Sequence, residues 1–135
     1  MNLRYEELDH TADLALRIYG RDLKELFANA AYAMFCQLAD IEHITPSIQH
    51  QITVDGTDYE SLLVNWLNEL LYLHESLGEV YSTFDVCELS PQHLQATVHG
   101  MRSEDINMII KAATFHGLAI QETPTGYVAT VVFDI

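Results

Sequence analysis

The sequence predicts an α+β fold, with a largely antiparallel or mixed sheet and two main helices packed on it, in one domain spanning residues 1–135. Three observations carry this. Two stretches of helical hydrophobic period begin at good capping residues, Asp22 and Asp58. Alternating, strand-like segments precede each of them. Four further strand-like segments then follow in a row, with connections too short to be parallel crossovers.

Residues 3–8 are short and extended. Leu14, Leu16 and Ile18 alternate with Ala15, Arg17 and Tyr19, a strand stopped by Gly20. Beyond Asp22 the period changes. Leu23, Leu26, Phe27, Ala30, Ala31, Met34, Phe35 and Leu38 form one helical face. Glu25, three residues after Asp22, has the spacing of a capping box. Ile48, His50, Ile52 and Val54 alternate again until Asp55-Gly56. The second helix starts after Asp58, buries Leu62, Leu63, Trp66, Leu67, Leu70 and Leu71, and ends near Gly78. Val80 to Cys87 and Leu94 to Val98 read as strands joined at Ser90-Pro91-Gln92. Ile109 to Ile120 and Tyr127 to Phe133 read as another pair, hinged at Thr123-Pro124-Thr125-Gly126.

A chain of 135 residues buries about two-thirds of its unfolded surface on folding. No segment approaches the ~20 apolar residues of a membrane span. The acidic start, Met1-Asn2-Leu3-Arg4-Tyr5-Glu6-Glu7, does not fit a secretory signal. Cys36 and Cys87 sit in separate apolar stretches and read as buried free thiols in a reducing cytoplasm. With six basic and twenty acidic side chains, the net charge of −14 repels phosphate backbones and argues against direct nucleic-acid binding. A basic protein partner, a bound cation or simple solubility remains.

Candidate chemistry concentrates at the two ends of the chain. Asp9, His10 and Asp13 lie between short strands, while Asp134 and Ile135 close the last one. Asp9 by itself is ordinary turn chemistry. Asp13 and Asp134 each border an apolar strand, where a carboxylate needs a cation, donors or a proton. If the terminal strands lie side by side, the two carboxylates present hard oxygen ligands suited to Ca²⁺ or Mg²⁺, or to Mn²⁺ if His10 joins. His74 reads as a helix-edge histidine with a local hydrogen bond. His116 reads as a satisfied strand histidine. His43, His50, His93 and His99 are scattered, the cysteines lack zinc-site spacing, and no phosphate-binding or nucleophile-elbow motif occurs.

His10-Thr11-Ala12-Asp13, followed by an apolar strand and Tyr19-Gly20, resembles the opening motif of the archease family. The helix Leu23-Lys24-Glu25-Leu26-Phe27-Ala28-Asn29-Ala30-Ala31 fits the same pattern, as do Leu63-Val64-Asn65-Trp66-Leu67-Asn68-Glu69-Leu70-Leu71-Tyr72-Leu73, Lys111-Ala112-Ala113-Thr114-Phe115-His116 and Phe133-Asp134-Ile135. These blocks run in order from residue 5 to residue 135. Leu14-Ala15-Leu16 departs from relatives that often carry a glycine there, without touching the acidic positions.

The resemblance implies a non-enzymatic activator of the tRNA-splicing RNA ligase, the GTP- and Mn²⁺-dependent enzyme that seals 3′-phosphate ends. Such a protein promotes guanylylation of the ligase's active-site histidine and repeated turnover. The family's metal site carries over onto Asp13, Asp134 and the main-chain or terminal oxygens of Ile135, with Ca²⁺ foremost and Mg²⁺ or Mn²⁺ as alternatives. Asp9 and His10 would then support these ligands or face the partner. Two rival readings are a protein chaperone for an RNA-modifying enzyme and a small metal-dependent hydrolase with His10 as base.

Overall fold

A computed structural model describes residues 3–9 and 13–135. The strands are β1 (Tyr5–Leu8), β2 (Leu14–Gly20), β3 (Ile48–Asp55), β4 (Glu79–Ser90), β5 (His93–Arg102), β6 (Ala112–Ala113), β7 (Ile120–Thr123) and β8 (Gly126–Asp134). The helices are α1 (Leu23–Leu38) and α2 (Tyr59–Leu77), with a single 3₁₀ turn at Ile41–His43. The expected α+β class with two main helices is borne out, and every strand pairing described is antiparallel. The strands divide into two sheets rather than one. The first has the order β1-β2-β8, with β6 and β7 sharing the far edge of β8; the second has the order β3-β5-β4.

Helix α1 packs on β2 of the first sheet and on β4 of the second. That position explains a burial wider than one amphipathic face, because a helix covered on both sides must be apolar or small nearly all round. Ala30, Ala31 and Ala33 are fully buried, as are Leu26, Phe27, Met34, Phe35 and Leu38. The exception is Asn29, whose amide donates to the Tyr19 carbonyl at 2.7 Å and so stays satisfied. In α2 the largest buried side chain is Trp66, whose indole N–H donates to the Phe27 carbonyl at 3.0 Å and pins the helices together.

The helix ends follow local chemistry. Asp22 accepts from the Glu25 amide at 2.8 Å, but the reciprocal bond of a capping box is displaced by one residue. Glu25 accepts from the Arg21 amide at 3.1 Å and grips the Arg21 guanidinium at 2.8 Å. The full box forms instead at α2, between Asp58 and Ser61. Gly78 ends α2 in the left-handed region, φ 67°, where a side chain would be strained.

Three expectations fail for identifiable reasons. Residues 109–120 are not one strand: only Ala112–Ala113 pair with β8, and β7 begins at Ile120. Asn68 of α2 captures the main chain of Ala113 in both directions, and Gly117 turns the chain at φ +63°. His116 therefore stands exposed in a turn and not within a strand. Cys87, expected to be buried, is exposed because it falls at the register shift between Val86 and Glu88, which takes it out of the ladder. Cys36 is half-buried, and both thiols are free.

Candidate functional site

Strands β2 and β8 run antiparallel from Gly20↔Tyr127 to Leu14↔Phe133. Beyond that last pair come Asp13, a bend just before β2, and Asp134, the final residue of β8, so both lie at one end of the sheet. The condition left open by the sequence, that the terminal strands lie side by side, is thus met. Leu14 and Phe133 point into the core. Strand alternation accordingly turns Asp134 to the face away from the helices. Asp13 is half-buried; Asp134 and Ile135 are exposed. Side chains directly opposite on neighbouring strands have Cβ atoms about 4.5–5.5 Å apart, and like charges there repel.

Neighbouring segments hold this end in place. The Lys111 amide donates to the Asp134 carbonyl at 2.8 Å. The amide and hydroxyl of Thr114 both donate to the Val132 carbonyl, at 3.0 and 2.8 Å. Asn68 braces the other side, donating to the Ala113 carbonyl at 3.2 Å and accepting from its amide at 2.8 Å. Sequence reasoning missed Asn68, although an amide set among the leucines of a buried helix is a signal that something nearby needs hydrogen bonds. Asp9 follows the last β1–β2 pair, Leu8↔Ala15, and is exposed at the same end of the sheet. His10, the other residue singled out beside it, lies outside the described residues.

The arginine on this face, Arg17, is engaged by Glu6. Arg17 lies four residues up β2 from Asp13, roughly 13 Å along an extended strand. It donates to Glu6 at 3.0 Å, and Tyr19 donates to the same carboxylate oxygen at 2.6 Å. Those bonds, Tyr19's first and Arg17's second, hold the Glu6 carboxyl below the usual glutamate range. Among the described residues, no three His, Cys, Asp or Glu side chains gather as a metal cluster. Among the described residues, Asp13 and Asp134 offer carboxylates at the tip, which main-chain oxygens or water would supplement. Such an all-oxygen set fits a hard divalent cation and does not fit a thiolate-rich zinc site.

A second polar cluster, also unforeseen, sits at the start of β4. Glu79 is buried, and one of its oxygens accepts from the Tyr81 hydroxyl at 2.7 Å and pairs with His50 Nε2 at 2.7 Å. Burial, then this bond to the carboxylate, pushes the Tyr81 hydroxyl pKa well up. His74 Nδ1 meets the Glu79 carbonyl at 2.8 Å, the local hydrogen bond expected of a helix-edge histidine. The cluster ties β3, β4 and the end of α2 together and is fully satisfied within the fold.

Residues 5–135 match the model of the Archease protein family (MTH1598/TM1083). The chain is 37% identical to protein archease of Methanosarcina barkeri, over 98% of this chain and 96% of that protein. It is 36% identical to protein archease of Archaeoglobus fulgidus, over 98% of this chain and 100% of the relative. Among solved structures, protein 1598 of Methanobacterium thermoautotrophicum superposes with a TM-score of 0.81 at 31% identity, covering 98% of this chain and 99% of that one. The fold is also that of a Thermotoga maritima protein described as an archease, possible chaperone, with a TM-score of 0.70 at 22% identity, covering 100% of this chain and 99% of that one.

Proposed function

The chain belongs to the archease family, and from that premise we propose that it is a non-enzymatic, cation-binding activator of the GTP- and Mn²⁺-dependent ligase that joins 3′-phosphate RNA ends in tRNA splicing. The observation that carries the reading is the β2–β8 register, which brings Asp13 and Asp134 to one end of the sheet. Two carboxylates set against each other are a poor arrangement for stability and a good one for a hard cation. Asp13, Asp134 and the main-chain oxygens of Ile135 would hold the ion, with Asp9 and His10 supporting them or facing the ligase. Calcium is the proposed cation, with magnesium or manganese as alternatives; bound there, it would supply positive charge for oxygen ligands.

The protein's own part is to position and steer. The Lys111–Asp134 bond and the Asn68 brace fix the tip, and the net charge of −14 favours approach to a basic, nucleic-acid-handling enzyme. The same charge disfavours contact with the RNA itself. None of the described helices is long and apolar enough to cross a membrane, and the proposed place of action is the cytoplasm.

The test is multiple-turnover ligation of a 3′-phosphate RNA by the cognate ligase with GTP and Mn²⁺. Substoichiometric amounts of this protein should stimulate it, and Asp13→Ala should not. Absence of stimulation by folded wild-type protein would refute the activator reading. The chaperone reading would then lead, since it requires client binding without dependence on the cation.

A further inference from the structure

Beside the acidic tip, the C-terminal half of α2 and the segment before β6 enclose an open groove of about 460 Å³. Leu71 and Ile110 form its buried floor, Ile106 lines it, and His74, Glu75 and Lys111 stand around it. Ile109, also on its lining, is 76% exposed, and Tyr72, next to Leu71 on α2, is 63% exposed. A large apolar side chain left in water on the lining of an apolar groove, with exposed Tyr72 on the same helix as Leu71, marks a surface that another molecule covers.

We propose that this groove is a second docking point for the ligase: it receives a ligase segment carrying an apolar side chain flanked by lysine or arginine. The inference rests on the activator reading above and extends it from the tip to a surface. Charge selects the occupant. No Lys or Arg occurs between residues 25 and 102, so the α2 wall of the groove carries only an acidic formal charge, Glu75, with Lys111 the one base on the opposite wall. An apolar anchor with basic neighbours satisfies both the floor and the rim. Position selects it as well. The segment that forms the groove ends at Lys111, whose amide bonds the Asp134 carbonyl, so the groove adjoins the tip. A second copy of this acidic chain would bring like charge to the same rim.

The test measures the concentration of activator giving half-maximal ligase stimulation, for wild type, Ile109→Asp, Tyr72→Ala and Glu75→Lys. The first two replace exposed side chains, and thermal melting checks that each variant is folded. Each should raise the half-maximal concentration, Ile109→Asp by about tenfold or more, the size of a lost interface anchor. Unchanged values for all three folded variants would overturn the groove while leaving the activator reading intact. Failure of the wild type to stimulate would remove both. Sedimentation showing a wild-type dimer that Ile109→Asp dissociates would assign the groove to self-association and overturn the proposal.

Discussion

Replacing Asp134 by Asn should stabilise the cation-free protein and abolish its response to calcium. Unit charges about 5 Å apart repel by about 0.8 kcal/mol in bulk water and about 3 kcal/mol at the effective dielectric of a protein surface. Asp134 is exposed, so salt and solvent place the value near the lower figure, about 1 kcal/mol. For a chain of 135 residues, that raises the melting temperature in chelator by about 3–5 °C. Calcium should reverse the order. At about a hundredfold excess over its dissociation constant, a ligand that binds only the folded state adds about 2.7 kcal/mol, and wild type gains this while Asp134→Asn gains little. Differential scanning calorimetry in chelator and in excess calcium reads both numbers. A variant that melts below wild type in chelator, and rises equally with calcium, would refute both the repulsion and the site.

Three further outcomes test other parts of the structure. Asn68→Ala removes both side-chain bonds to Ala113; it should cost about 1–3 kcal/mol, speed exchange of the Ala113 amide, and weaken ligase stimulation, whereas unchanged exchange would rule out the brace. Trp66→Ala empties a fully buried site and breaks the bond to Phe27, so denaturant unfolding should show a loss of about 3–5 kcal/mol; a loss below about 1 kcal/mol would contradict the packing of α1 on α2. The Tyr32 hydroxyl pKa is pushed up to about 12, first by burial and then by Cys36 and Glu42. Because this folded value is raised, the stability it contributes is intact below pH 10, where a free tyrosine titrates, and is lost as pH rises toward about 12. Tyr32→Phe should flatten that part of the alkaline unfolding curve, and an unaltered curve would show that Tyr32 is not shielded.

What the sequence revealed follows how local each cause is. Asp22, Asp58 and Gly78 mark helix ends through bonds within a few residues, so both helices were legible to within a residue or two. Alternation told which strand residues face inward, but not that Ile52 and Val54 lie in a second sheet, on a strand packed against α2. The stretch 109–120 misled because Asn68, far away in sequence, takes the Ala113 backbone that a strand would have used. Nothing local in sequence marks Glu79; only folding brings His50 and Tyr81 to its carboxylate. At the tip, Asp13 and Asp134 stood out as acids bordering apolar strands. Their meeting depends on pairing across more than a hundred residues of chain, which periodicity does not encode.

The most direct test of the central claim is the rate at which the cognate ligase acquires covalent GMP from GTP in the presence of Mn²⁺, alone, with this protein, and with its Asp13→Ala variant. The account predicts faster and more complete formation of the ligase–GMP adduct with wild type, and the rate of ligase alone with Asp13→Ala. Equal adduct formation in all three reactions would contradict it.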